Sequence, residues 1–137
     1  MPKHIDVVGA VIVRNGLIFC AQRGPAGALA GKWEFPGGKL ERGESAAAAL
    51  VREIREELDC EIRVGDEITT TVHEYEFGVV NLTTYYCELA EGEPTLSEHG
   101  AALWLEPSVL GSIEWAPADL AAVHLVQADL TSRSKSI

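Results

Sequence analysis

The segment around residues 45–58 constrains the fold more than any other part of the sequence. It follows a serine that can cap a helix, and it continues through four alanines and other strong helix formers. At 100° per residue, one stripe of the predicted helix is apolar, and a second stripe about 120° away carries Glu53, Glu56 and Glu57. One face of this helix therefore belongs to a hydrophobic core, and the acidic face points elsewhere.

Strand-forming residues lie on both sides of this predicted helix. β-branched and apolar residues dominate 5–14 and 17–23. The Asn15-Gly16 pair between them is a strong signal for a two-residue hairpin turn, because both residues tolerate positive φ. A turn at Gly65-Asp66 is also predicted, with further strands at 33–35, 61–64, 68–77, 79–89 and 101–105.

This order of elements predicts the fold class. A second helix is predicted from Pro117 to about Leu130. Strands, a helix, more strands and a final helix are typical of an α+β fold, an α/β/α sandwich with a mixed β-sheet on which both helices pack. We expect one domain over residues 1–130 and a flexible tail over 131–137.

Charge and cysteine content narrow the function classes. The chain of 137 residues has a net charge of −10, which disfavours a nucleic-acid partner because phosphate backbones are bound by Lys and Arg stripes. A small phosphorylated ligand is still compatible, since bound divalent cations can supply positive charge. The three cysteines are far apart and form no CxxC pair, so we expect buried reduced thiols. With no membrane-length apolar run and no cleavage site, the expected location is the cytoplasm.

The stretch from Gly38 to Cys60 resembles the Nudix box, Gx₅Ex₇REUxEExGU with U aliphatic. Six letters match at the family spacing: Gly38, Glu44, Arg52, Glu53, Glu56 and Glu57. At average residue frequencies such a match arises by chance roughly once in 10⁷ registers. Asp59 replaces the family glycine at the helix end, where Asp tolerates the left-handed conformation, and Cys60 replaces an aliphatic residue.

The resemblance implies a Mg²⁺ site, with Mn²⁺ as a substitute. Glu53, Glu56 and Glu57 with the Gly37 carbonyl would bind the metal, and Glu44 would pair with Arg52 to hold the loop against the helix. Similar members have a further glutamate in a late loop, which here is Glu98, as a metal ligand or as the general base. The base is thus Glu53 or Glu98, and a solvated Glu98 is the alternative to either role.

The resemblance also implies where the substrate binds. MutT-like members share the segments around Arg23 and the Trp33–Lys39 motif, which implies contacts from Arg23, Glu34, Phe35, Pro36, Gly37, Gly38 and Asp119. An exposed charge at a strand end is the alternative for Arg23. Phe35, Tyr75 and Phe77 could stack on a base, although strand aromatics are more often part of the core.

The residue at position 119 bears on the choice of base. Oxidised-purine-cleaving members of the family resemble one another in an asparagine here, whereas this chain has Asp119 in a pattern similar to the CTP pyrophosphohydrolase branch. An ionised Asp offers only acceptors, which match the amino group of cytosine, so replacement of Asp119 by Asn should move the preference away from cytosine. A helix N-cap is the structural alternative for this residue.

The resemblance thus implies an enzyme that hydrolyses nucleoside triphosphates to monophosphates and diphosphate, with CTP, dCTP or 5-methyl-dCTP preferred. The alternatives are an 8-oxo-dGTP diphosphatase and, in another class, a Nudix regulator that binds a nucleotide without cleaving it. ADP-ribose-cleaving members of the family resemble one another in a proline downstream of the box. This chain has no proline between Pro36 and Pro94, which weakens the assignment to that branch. The expected partner is a small nucleotide, with no nucleic acid and no membrane, and the chain is a monomer or a homodimer.

Overall fold

The computed structural model describes residues 3–96 and 100–135, with side chains to residue 130. Two 3₁₀ turns, Pro107–Ser112 and Pro117–Asp119, separate the last strand from the last helix. The strands and helices are β1 (His4–Arg14), β2 (Leu17–Gln22), β3 (Trp33–Glu34), β4 (Gly37–Lys39), α1 (Ala46–Leu58), β5 (Glu61–Tyr75), β6 (Gly78–Glu91), β7 (Ala101–Leu105) and α2 (Leu120–Lys135).

The sheet is mixed, as predicted, and it divides at β1. Its order is β3-β2-β1-β6-β5, with β4 also paired to β1 and β7 to β2. The end of β1 at Val13 pairs with β2, and its first half pairs with β4 on that same side, while β6 runs parallel along its other side. Gly37 allows this approach of β4, because a Cβ atom there would lie 1.9 Å from the Val8 carbonyl oxygen.

Two local predictions from the sequence are confirmed, the hairpin turn after β1 and the cap of α1. Asn15 and Gly16 have φ of 52° and 77°, as the two-residue hairpin requires. The Ser45 hydroxyl accepts a hydrogen bond from the Ala48 amide at 3.1 Å, so Ser45 caps α1. Asp59 ends the helix in the left-handed conformation with φ of 50°, in the place of the family glycine.

The sheet carries a core on each face. On one face, α1 buries Leu50, Ile54 and Leu58 against Val8 and Phe19 of the strands. On the other face, α2 buries a second cluster with β1, β2 and the segment before the helix, made of Val11, Ile18, Cys20, Phe35, Leu110, Trp115, Ala122, Val123 and Val126. Alternate residues of β1 therefore face opposite helices, and the predicted sandwich is confirmed.

Apart from shifts of one or two residues at strand ends, three features differ from the prediction. The turn predicted at Gly65-Asp66 is wrong, because β5 is continuous and absorbs these residues through register shifts between Val64 and Thr69. No strand was predicted over Gly37–Lys39, where β4 lies. The last helix starts at Leu120, after a 3₁₀ turn, and continues to Lys135, five residues into the segment predicted as a tail.

The three cysteines are buried, as the sequence predicts. Cys20, Cys60 and Cys87 are buried and unpaired, and burial raises the pKa of the Cys20 thiol to about 12. None of the helices in the described part of the chain is long and apolar enough to span a membrane.

Candidate active site

A cavity of about 350 Å³ lies next to β4. Its floor comes from the first half of β1 and from β6, and its walls come from β4, the end of β5 and the Pro117–Asp119 turn. This volume suits a small organic ligand. The lining residues are Ile5, Val7, Val8, Arg23, Leu29, Glu34, Phe35, Gly37, Gly38, Lys39, Glu57, Tyr75, Phe77, Val80, Leu82, Ala116, Ala118 and Asp119.

One end of the cavity, which we call the glutamate end, is formed by Gly38 and Glu57 of the cavity wall with Glu53 behind them. A Cβ atom on Gly38 would lie 2.3 Å from the Glu53 carboxylate, so only glycine leaves room for that carboxylate against β4. The Glu53 side chain is only 15 % exposed. The match to the family motif at Gly38 thus has a steric cause, which is the close approach of α1 and β4.

Arg52 organises the carboxylates behind this end. Its Nε and Nη2 atoms donate to the two oxygens of Glu44 at 2.7 and 2.9 Å, and its Nη1 atom donates to Glu53 at 2.8 Å. Nη2 also donates to the Lys39 carbonyl at 3.1 Å, which ties α1 to β4. The Glu44–Arg52 pair that the family resemblance implies is therefore present.

The ion pair sets the protonation of Glu44. The hydrogen bonds from Arg52, with a smaller contribution from the Glu41 amide, lower the pKa of the Glu44 carboxyl to about 2. Glu44 is thus ionised at any ordinary working pH, and its charge holds the Arg52 guanidinium in place.

The described residues include no ready-made cluster of three or more His, Cys, Asp or Glu around one metal position. Glu53 is held by Arg52, and the Glu56 carboxylate is 61 % exposed, with one oxygen 3.5 Å from Arg52 Nη1. Of the predicted ligands, Gly37 and Glu57 line the cavity. Glu98 lies outside the described residues. The donor chemistry, hard carboxylate oxygens on one helix face, fits Mg²⁺ in kind.

A second part of the cavity, which we call the Asp119 end, is formed by Phe35, Tyr75, Ala118 and Asp119. The Asp119 side chain is 5 % exposed, and its Oδ2 atom accepts a hydrogen bond from the Phe35 amide at 3.0 Å. The carboxyl thus reaches across to β3–β4, so a helix N-cap is not its main contact.

Burial controls the charge of Asp119. Loss of solvent, and to a smaller extent the nearby Glu34 carboxylate, raises the pKa of Asp119 to about 8, although the Phe35 amide and Arg23 oppose this shift. The prediction of an ionised Asp119 is therefore wrong at neutral pH. A neutral carboxyl offers one donor and one acceptor, as an asparagine side chain does.

The aromatic side chains divide between core and cavity. The Phe35 ring packs on Trp115, with ring centroids 4.7 Å apart, inside the core on the α2 side. The Tyr75 ring stacks nearly parallel on Phe77 at 5.0 Å and contacts His73 at 4.5 Å. Tyr75 and Phe77 line the cavity, and Phe35 both lines the cavity and belongs to the core.

The other predicted substrate contacts are partly in place. Arg23 lines the cavity and donates to Glu34 at 3.1 Å, so it is more than an isolated charge at a strand end. Pro36 is fully buried, its carbonyl accepts from the Ala10 amide at 2.7 Å, and it does not line the cavity. It supports β4 without facing a ligand.

The sequence did not point to the apolar floor of the cavity. Ile5 and Val7 of β1 and Val80 and Leu82 of β6 lie on it, and their alternation was interpreted only as strand periodicity. Leu29 was also missed, because the loop that contains it has no periodic signal.

Comparisons with known proteins find similar sequences over most of the chain. The family model of the NUDIX domain matches residues 7–125. The CTP pyrophosphohydrolase of Escherichia coli K12 is 40 % identical over 118 residues, which cover 86 % of this chain and 87 % of that protein. The 8-oxo-dGTP diphosphatase of Haemophilus influenzae is 32 % identical over 126 residues, covering 90 % and 93 %.

A solved structure is similar over nearly the whole chain. The solution structure of a MutT protein of the Nudix hydrolase family from methicillin-resistant Staphylococcus aureus 252 superposes with a TM-score of 0.78. Its sequence is 50 % identical, and the match covers 94 % of this chain and 99 % of that one.

Proposed function

The chain belongs to the Nudix family, and we propose that it is a Mg²⁺-dependent nucleoside triphosphate pyrophosphohydrolase that prefers cytosine nucleotides. The reaction is NTP plus water to NMP plus diphosphate. The observation that carries the proposal is one cavity with two chemically different ends. The glutamate end has carboxylates that suit a cation and phosphates, and the Asp119 end has a neutral hydrogen-bonding group beside aromatic rings.

The fit to a metal rests on the space at Gly38. The lack of a side chain there leaves the Glu53 carboxylate against β4, beside the part of the cavity that Gly37 and Glu57 line. Glu53, Glu56 and Glu57 with the Gly37 carbonyl would hold Mg²⁺. The ion would supply charge neutralisation for the phosphate groups. Because Glu53 and Glu56 now face Arg52, metal binding requires their side chains to turn toward the cavity.

The residues of the chain perform the remaining steps. Arg23, which lines the cavity, would bind phosphate oxygens, in exchange for part of its contact with Glu34. A glutamate would accept the proton of the attacking water; Glu53 and, from the sequence, Glu98 are the two candidates. The Glu44–Arg52 pair holds α1 against β4 and thereby orients the glutamate end.

The neutral Asp119 supports the cytosine preference on different grounds from those of the sequence. One carboxyl oxygen can accept from the 4-amino group of cytosine, and the protonated oxygen can donate to the adjacent N3 atom. Uracil presents an acceptor and a donor in the reverse order at these positions. The Phe35 amide already donates to Oδ2, which favours the proton on Oδ1 and fixes one order of donor and acceptor.

A second candidate function has a specific observation in its favour. The 8-oxo-dGTP molecule presents an N7–H donor beside the O6 acceptor, and a neutral carboxyl can pair with both in the same way. Unmodified guanine has acceptors at both positions and can use only one. One of the similar proteins is named an 8-oxo-dGTP diphosphatase. Sanitation of the nucleotide pool would follow from either substrate.

A substrate panel tests the proposal. We expect Mg²⁺-dependent release of diphosphate, with the highest kcat/KM for CTP, dCTP or 5-methyl-dCTP among those three, UTP, dGTP, 8-oxo-dGTP and ADP-ribose. The highest value for 8-oxo-dGTP would move the assignment to the second candidate. No turnover of any triphosphate, together with nucleotide binding, would instead identify a non-catalytic regulator. Hydrolysis in ¹⁸O-labelled water identifies the phosphorus that is attacked.

A further inference from the structure

The turn that carries Asp119 cannot cap itself. The residue before it, Ala116, has no side-chain oxygen, and no side-chain cap is present at this end. Pro117 has no amide hydrogen, so the Ala118 amide is the first donor of the turn that needs an acceptor. The Tyr75 hydroxyl oxygen, from β5 across the cavity, accepts this hydrogen bond at 2.9 Å. A tertiary contact thus replaces the missing local cap.

This contact also restricts the Tyr75 hydroxyl group. Its oxygen is occupied as an acceptor by the Ala118 amide, and its hydrogen remains available as a donor. The ring lines the cavity and is held between His73 and Phe77, with centroid distances of 4.5 and 5.0 Å. Burial raises the pKa of Tyr75 above its usual value, so the phenol remains a donor across the working pH range.

We infer that Tyr75 is a specificity residue, which positions the Asp119 turn and donates a hydrogen bond to a ring carbonyl oxygen of the bound base. This inference rests on the proposed function and names the feature of the base that is recognised. Together, Asp119 and Tyr75 present an acceptor and two donors, which complement the 4-amino group, N3 and O2 of cytosine. Uracil also has O2, but its N3–H is a donor and does not complement the Asp119 proton.

The affinity for the monophosphate product tests the Tyr75 hydroxyl as a donor without requiring catalysis. Cytidine monophosphate and its 2-thio analogue differ only in O2, and sulfur accepts hydrogen bonds weakly. We expect wild-type protein without metal to bind CMP about 5- to 10-fold more tightly than 2-thio-CMP, in line with one neutral hydrogen bond. In Tyr75→Phe, which keeps the ring and removes the hydroxyl, that ratio should fall to near one. An unchanged ratio, or no difference in the wild type, overturns the donor assignment.

Tyr86→Phe is the matched control. The Tyr86 hydroxyl donates to Asp129 at 2.7 Å, and the residue does not line the cavity. This variant should keep the wild-type ratio for the two ligands. A fall in the ratio equal to that of Tyr75→Phe would show that loss of any partly buried phenol perturbs binding, and it would overturn the inference.

Amide hydrogen exchange tests the positioning part. Without the Tyr75 hydroxyl, the Ala118 amide should exchange about 10-fold faster, whereas the Ala49 amide, which is bonded within α1 to Ser45, should not change. Unchanged protection of Ala118 contradicts a positioning role. Failure of the proposed function appears separately, as absence of CTP turnover by wild-type protein, whereas these two measurements need no turnover.

Discussion

Two carboxyl groups of the site have contrasting surroundings. Glu44 lies behind the glutamate end of the cavity, and Asp119 lies at the Asp119 end. Glu44 accepts two hydrogen bonds from the Arg52 guanidinium, and its pKa falls to about 2. Asp119 is almost fully buried, it accepts a hydrogen bond from the neutral Phe35 amide, and its pKa rises to about 8. At pH 7 one is an anion and the other is mostly a neutral acid.

The difference shows how one protein uses one functional group for two purposes. A fixed guanidinium keeps the glutamate end charged and organised, which is what a site for cations and phosphates requires. Desolvation keeps the Asp119 end neutral, and a neutral carboxyl can donate as well as accept. Burial of Asp119 also has a cost, because burying an ionisable group without a bound cation lowers the stability of the folded protein at neutral pH.

The largest expected effect comes from removing charge at the glutamate end. We expect Glu57→Gln to lower kcat with Mg²⁺ by about 10³ or more, since a neutral amide binds the cation that would neutralise the phosphates less tightly than a carboxylate does. Steady-state kinetics with CTP measure it. Glu61→Gln, which removes a glutamate bound to Arg55 outside the cavity, should keep kcat within about 2-fold. An unchanged rate in Glu57→Gln would refute the metal-helix interpretation.

Replacing the ionisable carboxyl of Asp119 by an amide should stabilise the protein. Its pKa is raised from 3.8 to about 8, so folding is penalised as pH rises through this window, by up to about 4 kcal/mol at pH 7. Asp119→Asn keeps an acceptor for the Phe35 amide and removes the penalty. In urea unfolding, its stability advantage should grow by about 1.4 kcal/mol per pH unit between pH 5 and 7.

Asp6→Asn is the control for this measurement. Asp6 is exposed and accepts from Asn81, so its variant should differ from the wild type by the same small amount at pH 5 and pH 7. A stability advantage of Asp119→Asn that does not change with pH would mean that Asp119 is ionised in the folded protein.

A smaller effect is expected from weakening the Arg52 contacts. Arg52→Lys cannot keep both hydrogen bonds to Glu44 and the one to Glu53, because a lysine is a point donor. We expect kcat/KM to fall by about 10- to 100-fold and the Mg²⁺ concentration for half-maximal activity to rise. Arg55→Lys is the matched control. Arg55 lies on the same helix as Arg52 and makes a similar bidentate ion pair, with Glu61 at the start of β5. Equal losses in both variants would point to helix stability as the cause.

The smallest expected effect is a change with pH in the preference for CTP over UTP, which tests the Asp119 end. Below about pH 8 Asp119 carries a proton that can be donated to N3 of cytosine, and above it the carboxylate meets that acceptor unfavourably. The ratio of kcat/KM for CTP to that for UTP should therefore fall about 10-fold between pH 7 and 9, about the value of one or two hydrogen bonds. A ratio cancels the titration of groups that both substrates share.

Asp119→Asn sharpens this test, because an amide offers a donor and an acceptor at every pH. It should retain the cytosine preference at pH 7 and make the CTP to UTP ratio independent of pH. This reverses the expectation drawn from an ionised Asp119. A loss of the preference at pH 7 would restore the ionised carboxylate as the reader of the amino group.

The local chemistry of the chain determined much of the fold and the glutamate end. Ser45 at the start of α1, Asn15-Gly16 between the first strands and the apolar stripe of the helix each act within a few residues, so their patterns predict structure directly. The motif from Gly38 to Cys60 identified the family and the Glu44–Arg52 pair, because its partners are set by fixed spacing on one loop and helix.

Only the tertiary structure decided the charge of Asp119 and the role of Tyr75. The pKa of Asp119 depends on burial among β3, β5 and the last turn, which are far apart in sequence, and no local pattern measures desolvation. The Tyr75–Ala118 contact joins residues 43 positions apart. The bulge at Gly65-Asp66 likewise depends on pairing with β6, which is why glycine and aspartate alone suggested a turn.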